Sequence, residues 1–157
     1  MKKSKWLSFA LLLALPLAVG LAAAWLTPQA RSFYEEEILT PPASPPGWVF
    51  AVVWPVLYLL MGAASWLVWR AEDCPTREKG LTAYATQLIL NFFWPLFFFR
   101  LEAFGLSLLW LVLLLLAAAW TAWMFWRCKK AAGLMLVPYL LWLCYALYLT
   151  YGVWRLN

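Results

Sequence analysis

One short segment of this chain carries polar side chains at regular helical spacing inside an apolar stretch. Gln87, Asn91, Trp94 and Phe98 follow one another at intervals of four, three and four residues, so they share one face of a helix. Amide groups in an apolar environment need hydrogen-bond partners, so we expect this face to turn inward. Two readings stay open for Gln87 and Asn91: contact with a bound ligand, or a helix–helix contact made by the amides.

Two further stripes of mostly aromatic side chains recur at helical spacing in other apolar segments. They comprise Trp54, Tyr58 and Met61, and then Trp142, Tyr145, Ala146 and Leu149. Prolines lie in four apolar segments, at positions 16, 55, 95 and 138, and a proline inside a helix removes a hydrogen bond and kinks it. Kinked helices with inward rings predict an aromatic pocket with few donors, suited to a flat apolar ligand, with ordinary packing as the alternative.

The composition is that of a membrane protein. Of 157 residues, 66% are hydrophobic and only 12% are charged, too few to cover a soluble domain. Five runs reach the roughly 20 residues that a bilayer core requires. They lie at about 5–27, 47–69, 81–99, 104–126 and 132–154. We therefore expect one all-α integral membrane domain over 1–157, a bundle of five transmembrane helices surrounded by membrane lipid.

The basic residues between these runs predict the orientation. Nine of them fall on one side and three on the other. The nine are Lys2, Lys3, Lys5, Arg70, Arg77, Lys79, Arg127, Lys129 and Lys130, and the three are Arg31, Arg100 and Arg155. By the positive-inside rule we expect the N-terminus inside and the C-terminus outside. We expect the membrane to be a bacterial cell membrane. Charges in such short clusters indicate topology and not nucleic-acid binding.

Several classes of chemistry lack their usual residues. No acidic or basic residue lies deep in an apolar run, which argues against ion-coupled transport and against ordinary acid–base catalysis. The chain has no histidine and three cysteines, so we expect no metal site. Cys74 and Cys128 fall in loops on the predicted inner side, where thiols stay reduced, so we expect them not to pair. Cys144 lies within the last run.

The connection between the first two runs, residues 28–46, which we call loop one, is the longest and holds five prolines. Such a segment is stiff, and it predicts either a lid over one end of the bundle or a plain spacer. As a lid it would turn Phe33 and Tyr34 toward the pocket mouth. The three glutamates at 35–37 would then be solvated, because three consecutive side chains cannot share one face.

Three long motifs resemble those of a known protein family. They are "PPGWVFAVVWPVLYLLMGAASWLVW", "QLILNFFWPLFFF" and "VPYLLWLCYALYLTYGVWRLN", in this order on the second, third and fifth runs. They are similar to the translocator proteins, also called tryptophan-rich sensory proteins or peripheral-type benzodiazepine receptors (TspO/MBR). The resemblance implies a five-helix bundle, often a homodimer. It also implies binding of porphyrins, sterols and benzodiazepine-like drugs, with protoporphyrin IX or haem as ligand and no obligatory cofactor.

The resemblance also implies which residues line the pocket. It assigns that role to Trp54, Asn91, Trp94, Trp142 and Ala146. Together with the stripes above, the expected ligand-binding set is Trp48, Trp54, Tyr58, Gln87, Asn91, Trp94, Phe98, Trp142, Tyr145, Ala146 and Leu149. A cholesterol-recognition motif is expected at Leu149, Tyr151 and Arg155, although by pattern alone that motif is weak.

Three functions remain compatible with the sequence. The first is a sensor that binds tetrapyrroles and regulates tetrapyrrole or stress metabolism. The second is a passive translocator of porphyrin or sterol. The third is an enzyme that degrades porphyrin with light and oxygen, with Trp54 and Trp142 as the oxidisable rings. We favour binding, because no feature of the chain couples to an ion gradient.

Overall fold

The computed structural model describes the backbone of residues 2–157 and the side chains of residues 5–157, and all regular structure in that part is helical. The main helices are Lys2–Leu26, Trp48–Trp69, Arg77–Pro95, Phe104–Cys128, Lys130–Met135 and Val137–Leu156. They form five stretches long and apolar enough to cross a membrane, here numbered spans one to five. These are Lys5–Leu26, Trp48–Trp69, Arg77–Arg100, Phe104–Cys128 and Lys130–Leu156. The predicted five-helix membrane architecture is confirmed, and the orientation of the termini stays a prediction.

The prolines act in two ways. Pro16 and Pro55 lie inside continuous helices. Pro95 instead ends the regular part of span three, and a five-residue π-helical turn, Leu96–Arg100, continues the span. Pro138 is the second residue of the last helix, just after a break at Leu136, where its missing N–H costs no intrahelical bond. The break divides span five near its start, a feature the hydropathy pattern does not indicate.

Span one packs against span two, span three against span four, and span four against span five. Spans one and two approach very closely at Gly62. A Cβ atom there would lie 2.7 Å from the Leu12 carbonyl oxygen and 2.7 Å from the Leu13 Cα, so only glycine fits this contact. Spans three and four are joined by the Trp110 indole, which donates to the Leu90 carbonyl at 2.8 Å.

Tryptophans near the span ends lie on the outer surface of the bundle. Five tryptophans near span ends are exposed: Trp6, Trp25, Trp69, Trp126 and Trp154. Indoles favour the membrane–water interface because one edge is apolar and the N–H is polar. Their positions fit a chain that crosses the bilayer five times.

The expectation that Cys74 and Cys128 do not pair is wrong. The two residues form a disulfide, with their Cα atoms 5.0 Å apart and 54 positions apart in sequence. Antiparallel packing of spans three and four brings loop two, the connection 70–76 that contains Cys74, beside the last residue of span four. That proximity depends on helix register, which the cysteine spacing does not reveal. Cys144 is free and exposed on span five.

Candidate ligand site between spans two, three and five

Five aromatic rings from spans two and five meet in the interior of the bundle. We call them the ring cluster: Phe50, Trp54, Tyr58, Tyr139 and Trp142. The Trp54 and Trp142 ring centroids lie 6.5 Å apart at an interplanar angle of 88°. Trp54 also stacks on Tyr58 at 5.5 Å and touches Tyr139 edge-on at 6.4 Å. The two indole stripes therefore converge, as their spacing predicts.

A chain of hydrogen bonds starts from hydroxyls of the ring cluster and joins three spans. Tyr58 donates to Asn91 Oδ1 at 2.7 Å, and Asn91 Nδ2 donates to the Tyr139 hydroxyl at 2.9 Å. That hydroxyl donates in turn to Gln87 Oε1 at 2.8 Å. Gln87 Nε2 then faces Met61 Sδ at 3.8 Å. The two amides are 1% and 3% exposed, so the inward face is confirmed, and they are used in helix–helix contacts, one of the two readings left open.

Two buried indole N–H groups in the same region have no partner. The Nε1 atoms of Trp94 and Trp142 are shielded from solvent, and neither makes a hydrogen bond within the part of the chain described. Trp94 stacks on Phe98 at 5.2 Å, so its ring is held in place. A buried donor without an acceptor costs about 1–3 kcal/mol. A hydrogen-bond acceptor brought to either indole N–H would remove this cost.

Loop one covers the end of the ring cluster. Tyr34 contacts Phe50 at 5.1 Å, and Phe50 contacts Trp142 at 5.7 Å, so aromatic contact runs from the loop into the cluster. The Tyr34 hydroxyl donates to the Pro45 carbonyl at 3.0 Å. Burial raises the pKa of the Tyr34 phenol above its ordinary value. Phe33 is buried against Phe98, in the inward position expected of a lid.

Side chains from the C-terminal end of span five hold loop one in place. Asn157 accepts from the Leu39 N–H at 3.0 Å and donates through Nδ2 to the Leu39 carbonyl at 2.9 Å. Tyr148 donates to the Pro42 carbonyl at 2.7 Å. Tyr145 donates to the carbonyl of Ala43, a residue in the left-handed region with φ 63°. The loop is thus anchored at several points, beyond what a spacer requires.

The glutamates of loop one do not all behave as expected. Glu35 accepts a hydrogen bond from the Gly47 N–H at 3.1 Å and pairs with Arg31 at 3.3 Å. It therefore ties the first half of the loop to the start of span two. All three glutamates, Glu35 included, are nevertheless exposed, as expected of solvated side chains.

Comparison with known proteins identifies the family to which the chain belongs. A sequence model of the TspO/MBR family matches residues 12–155, a stretch that includes the ring cluster and loop one. The chain belongs to the TspO/MBR family. It is 36% identical over 155 residues to the tryptophan-rich protein TspO of Chlorobaculum tepidum, covering 96% of each chain. It is 39% identical to protein CrtK of Rhodobacter capsulatus over 72% of this chain and 71% of that one. It is 40% identical to the human translocator protein over 72% of this chain and 68% of that one.

The remaining predicted site residues of this TspO/MBR protein divide between interior and surface. Ala146 is 7% exposed and Leu149 is also buried, so both face the bundle. Tyr145 is half-buried and bonded to loop one. Trp48 is 55% exposed, so a ligand in the ring cluster would not reach it without rearrangement. Its role in binding stays a prediction.

The expected sterol motif does not form one continuous surface. Leu149 is buried, whereas Tyr151 and Arg155 are exposed. Residues two apart on a helix point in nearly opposite directions, which separates Leu149 from Tyr151. A sterol on the outer surface of the bundle could contact only the last two members of the motif.

The rings of the cluster pack directly against one another. A groove of about 560 Å³ lies on the outer face of spans three and four, and a second of about 520 Å³ lies beside Gln29 and Arg100. Neither includes a member of the ring cluster. A porphyrin-sized ligand would therefore have to displace rings to enter, and Trp54 and Trp142 are only partly buried and lie next to loop one.

Sequence reasoning missed two members of the ring cluster, Phe50 and Tyr139. Phe50 lies four residues before Trp54, and Tyr139 lies three before Trp142, so both continue the recognised stripes. The periodicity could have found them. It could not have shown that the Tyr139 hydroxyl is the partner of both amides.

Proposed function

We propose that this TspO/MBR membrane protein binds a porphyrin or related tetrapyrrole in the ring cluster and acts as a sensor of tetrapyrrole or stress metabolism. One observation carries the proposal: Trp142, a member of the ring cluster, and Trp94, which packs against the same core, hold buried indole N–H groups without acceptors in the described part of the chain. Rings favour a flat conjugated ligand through stacking, and free donors favour one with acceptor groups. Tetrapyrroles with carboxylate side chains combine both properties.

The anchored loop suits a site that retains its ligand. Loop one packs Phe33 against Phe98 and Tyr34 against Phe50, so it borders the rings that a ligand would displace. A ligand that enters from this end would have to break contacts between loop one and span five. We expect slow association and slower release, since a closed loop lowers the dissociation rate.

Binding is tested by titrating the purified full-length protein with protoporphyrin IX and following tryptophan fluorescence. We expect saturable quenching, and we expect Trp142→Phe to weaken binding at least several-fold because it removes an unpaired donor and ring surface. Trp25→Phe is the matched control, since Trp25 is exposed at the end of span one. Etioporphyrin, which lacks carboxylates, should bind more weakly than protoporphyrin IX. Equal affinities in both variants and for both pigments would refute the proposed site.

A second candidate function is oxidative porphyrin breakdown in light. It is favoured by direct contact among the oxidisable rings Trp54, Tyr58 and Trp142. Bound pigment would absorb light and molecular oxygen would act as oxidant. Illumination of the complex in air should bleach the Soret band faster than in a Trp54→Phe, Trp142→Phe variant saturated with the same pigment. Equal bleaching rates at equal occupancy, or bleaching under nitrogen, would leave binding as the function.

A further inference from the structure

The end of the bundle opposite loop one is joined by a disulfide. Cys128 is the last residue of the span four helix, and Cys74 lies in loop two, where its carbonyl accepts from the Arg77 N–H at 3.2 Å. Both cysteines are partly buried. The bond connects the hairpin of spans two and three to the start of the connection between spans four and five.

We propose that Cys74 and Cys128 are a redox site, a reversible thiol–disulfide pair whose state controls how far this end of the bundle opens. Nine of the twelve basic residues belong to this end, which the positive-inside rule predicts to be cytoplasmic. Disulfides in a reducing compartment are usually transient and redox-sensing. A bonded pair at this location therefore indicates a site that cycles between its two states.

The local structure around the two cysteines makes the disulfide important for holding spans three and four together at this end. Besides the disulfide, the Thr76 hydroxyl donates to the Met124 carbonyl at 3.2 Å. Directly after Cys128 the helix stops, because Lys129 is extended with φ −149° and ψ 116°. Reduction leaves the start of span three held to span four by packing and one side-chain hydrogen bond, beside a break in the helix. This end should then open more often.

The chemistry requires only a disulfide or dithiol partner. On oxidation the two thiols lose two protons and two electrons and form one S–S bond. The electrons pass to a low-molecular-weight or protein disulfide, which becomes two thiols, through a mixed disulfide with one of the two cysteines. Arg127 and Lys129 flank Cys128, and cationic neighbours favour the thiolate that starts the exchange.

The first test measures the pair directly on the full chain carrying Cys144→Ser, which removes the only other thiol. The protein is equilibrated in buffers with an increasing ratio of oxidised to reduced glutathione. Free thiols are then labelled with maleimide, and the mass of the intact protein is measured. As the buffer becomes more oxidising, we expect both maleimide labels to be lost together in one transition within the physiological range of redox potential. Independent loss of single labels would overturn the proposal, as would a pair that no buffer in that range oxidises or reduces.

The second test asks whether the bond controls opening. Amide hydrogen exchange of residues 71–80 and 128–136 should be about tenfold faster in the reduced protein, while residues 33–46 of loop one should not change. Cys74→Ser and Cys128→Ser should each match the reduced protein in every buffer. Equal exchange in both redox states would overturn the proposal. A pair that stays fully oxidised in growing cells after acid quenching would also overturn it, because the bond would then be structural.

Discussion

Removing the Tyr139 hydroxyl should destabilise the bundle more than any change at an exposed tyrosine. In Tyr139→Phe the ring remains, but Asn91 Nδ2 loses its acceptor and Gln87 Oε1 loses its donor. Hydrogen bonds between membrane helices are worth about 0.6 kcal/mol on average and up to about 1.7 kcal/mol. Two lost bonds therefore predict a decrease of about 1–3 kcal/mol in the free energy of unfolding.

The measurement is equilibrium unfolding in mixed micelles with increasing SDS fraction, followed by circular dichroism. Tyr151→Phe is the matched control, since Tyr151 is exposed on the same helix. Tyr58→Phe removes one bond, to Asn91, and should cost about half as much as Tyr139→Phe. In a double-mutant cycle, Gln87→Leu and Tyr139→Phe should be less than additive because they remove the same bond. The reasoning is refuted if Tyr139→Phe unfolds at the same SDS fraction as Tyr151→Phe.

Three further substitutions test the pocket, the packing and the lid. Ala146→Phe adds a large ring beside the ring cluster and should weaken porphyrin binding several-fold, and an unchanged titration curve would count against a pocket there. Gly62→Ala places a Cβ 2.7 Å from the Leu12 carbonyl and should lower unfolding stability by about 1–3 kcal/mol, measured in the same SDS titration. Asn157→Ala removes both hydrogen bonds to Leu39 and should speed porphyrin release in stopped flow more than it speeds association. Equal release rates would reduce loop one to a spacer.

The candidate site shows what helical periodicity can predict and what it cannot. Spacing places Gln87 and Asn91 on an inward face and brings the stripes of Trp54 and Trp142 toward the interior, and the structure has both. Spacing does not give the rotation of one helix against its neighbours. For that reason it could not choose between ligand contact and helix–helix contact for the amides, a choice that depends on the position of Tyr139, 48 residues after Asn91.

The sequence by itself determined the five spans and the family, because hydropathy and motif are properties of consecutive residues. Only the tertiary structure decided the Cys74–Cys128 bond and the closed state of the ring cluster. It alone decided the attachment of loop one to Asn157, whose partner Leu39 lies 118 residues earlier. Each of these depends on how separate helices pack, since distances between elements are set by interlocking side chains and not by the order of residues along the chain.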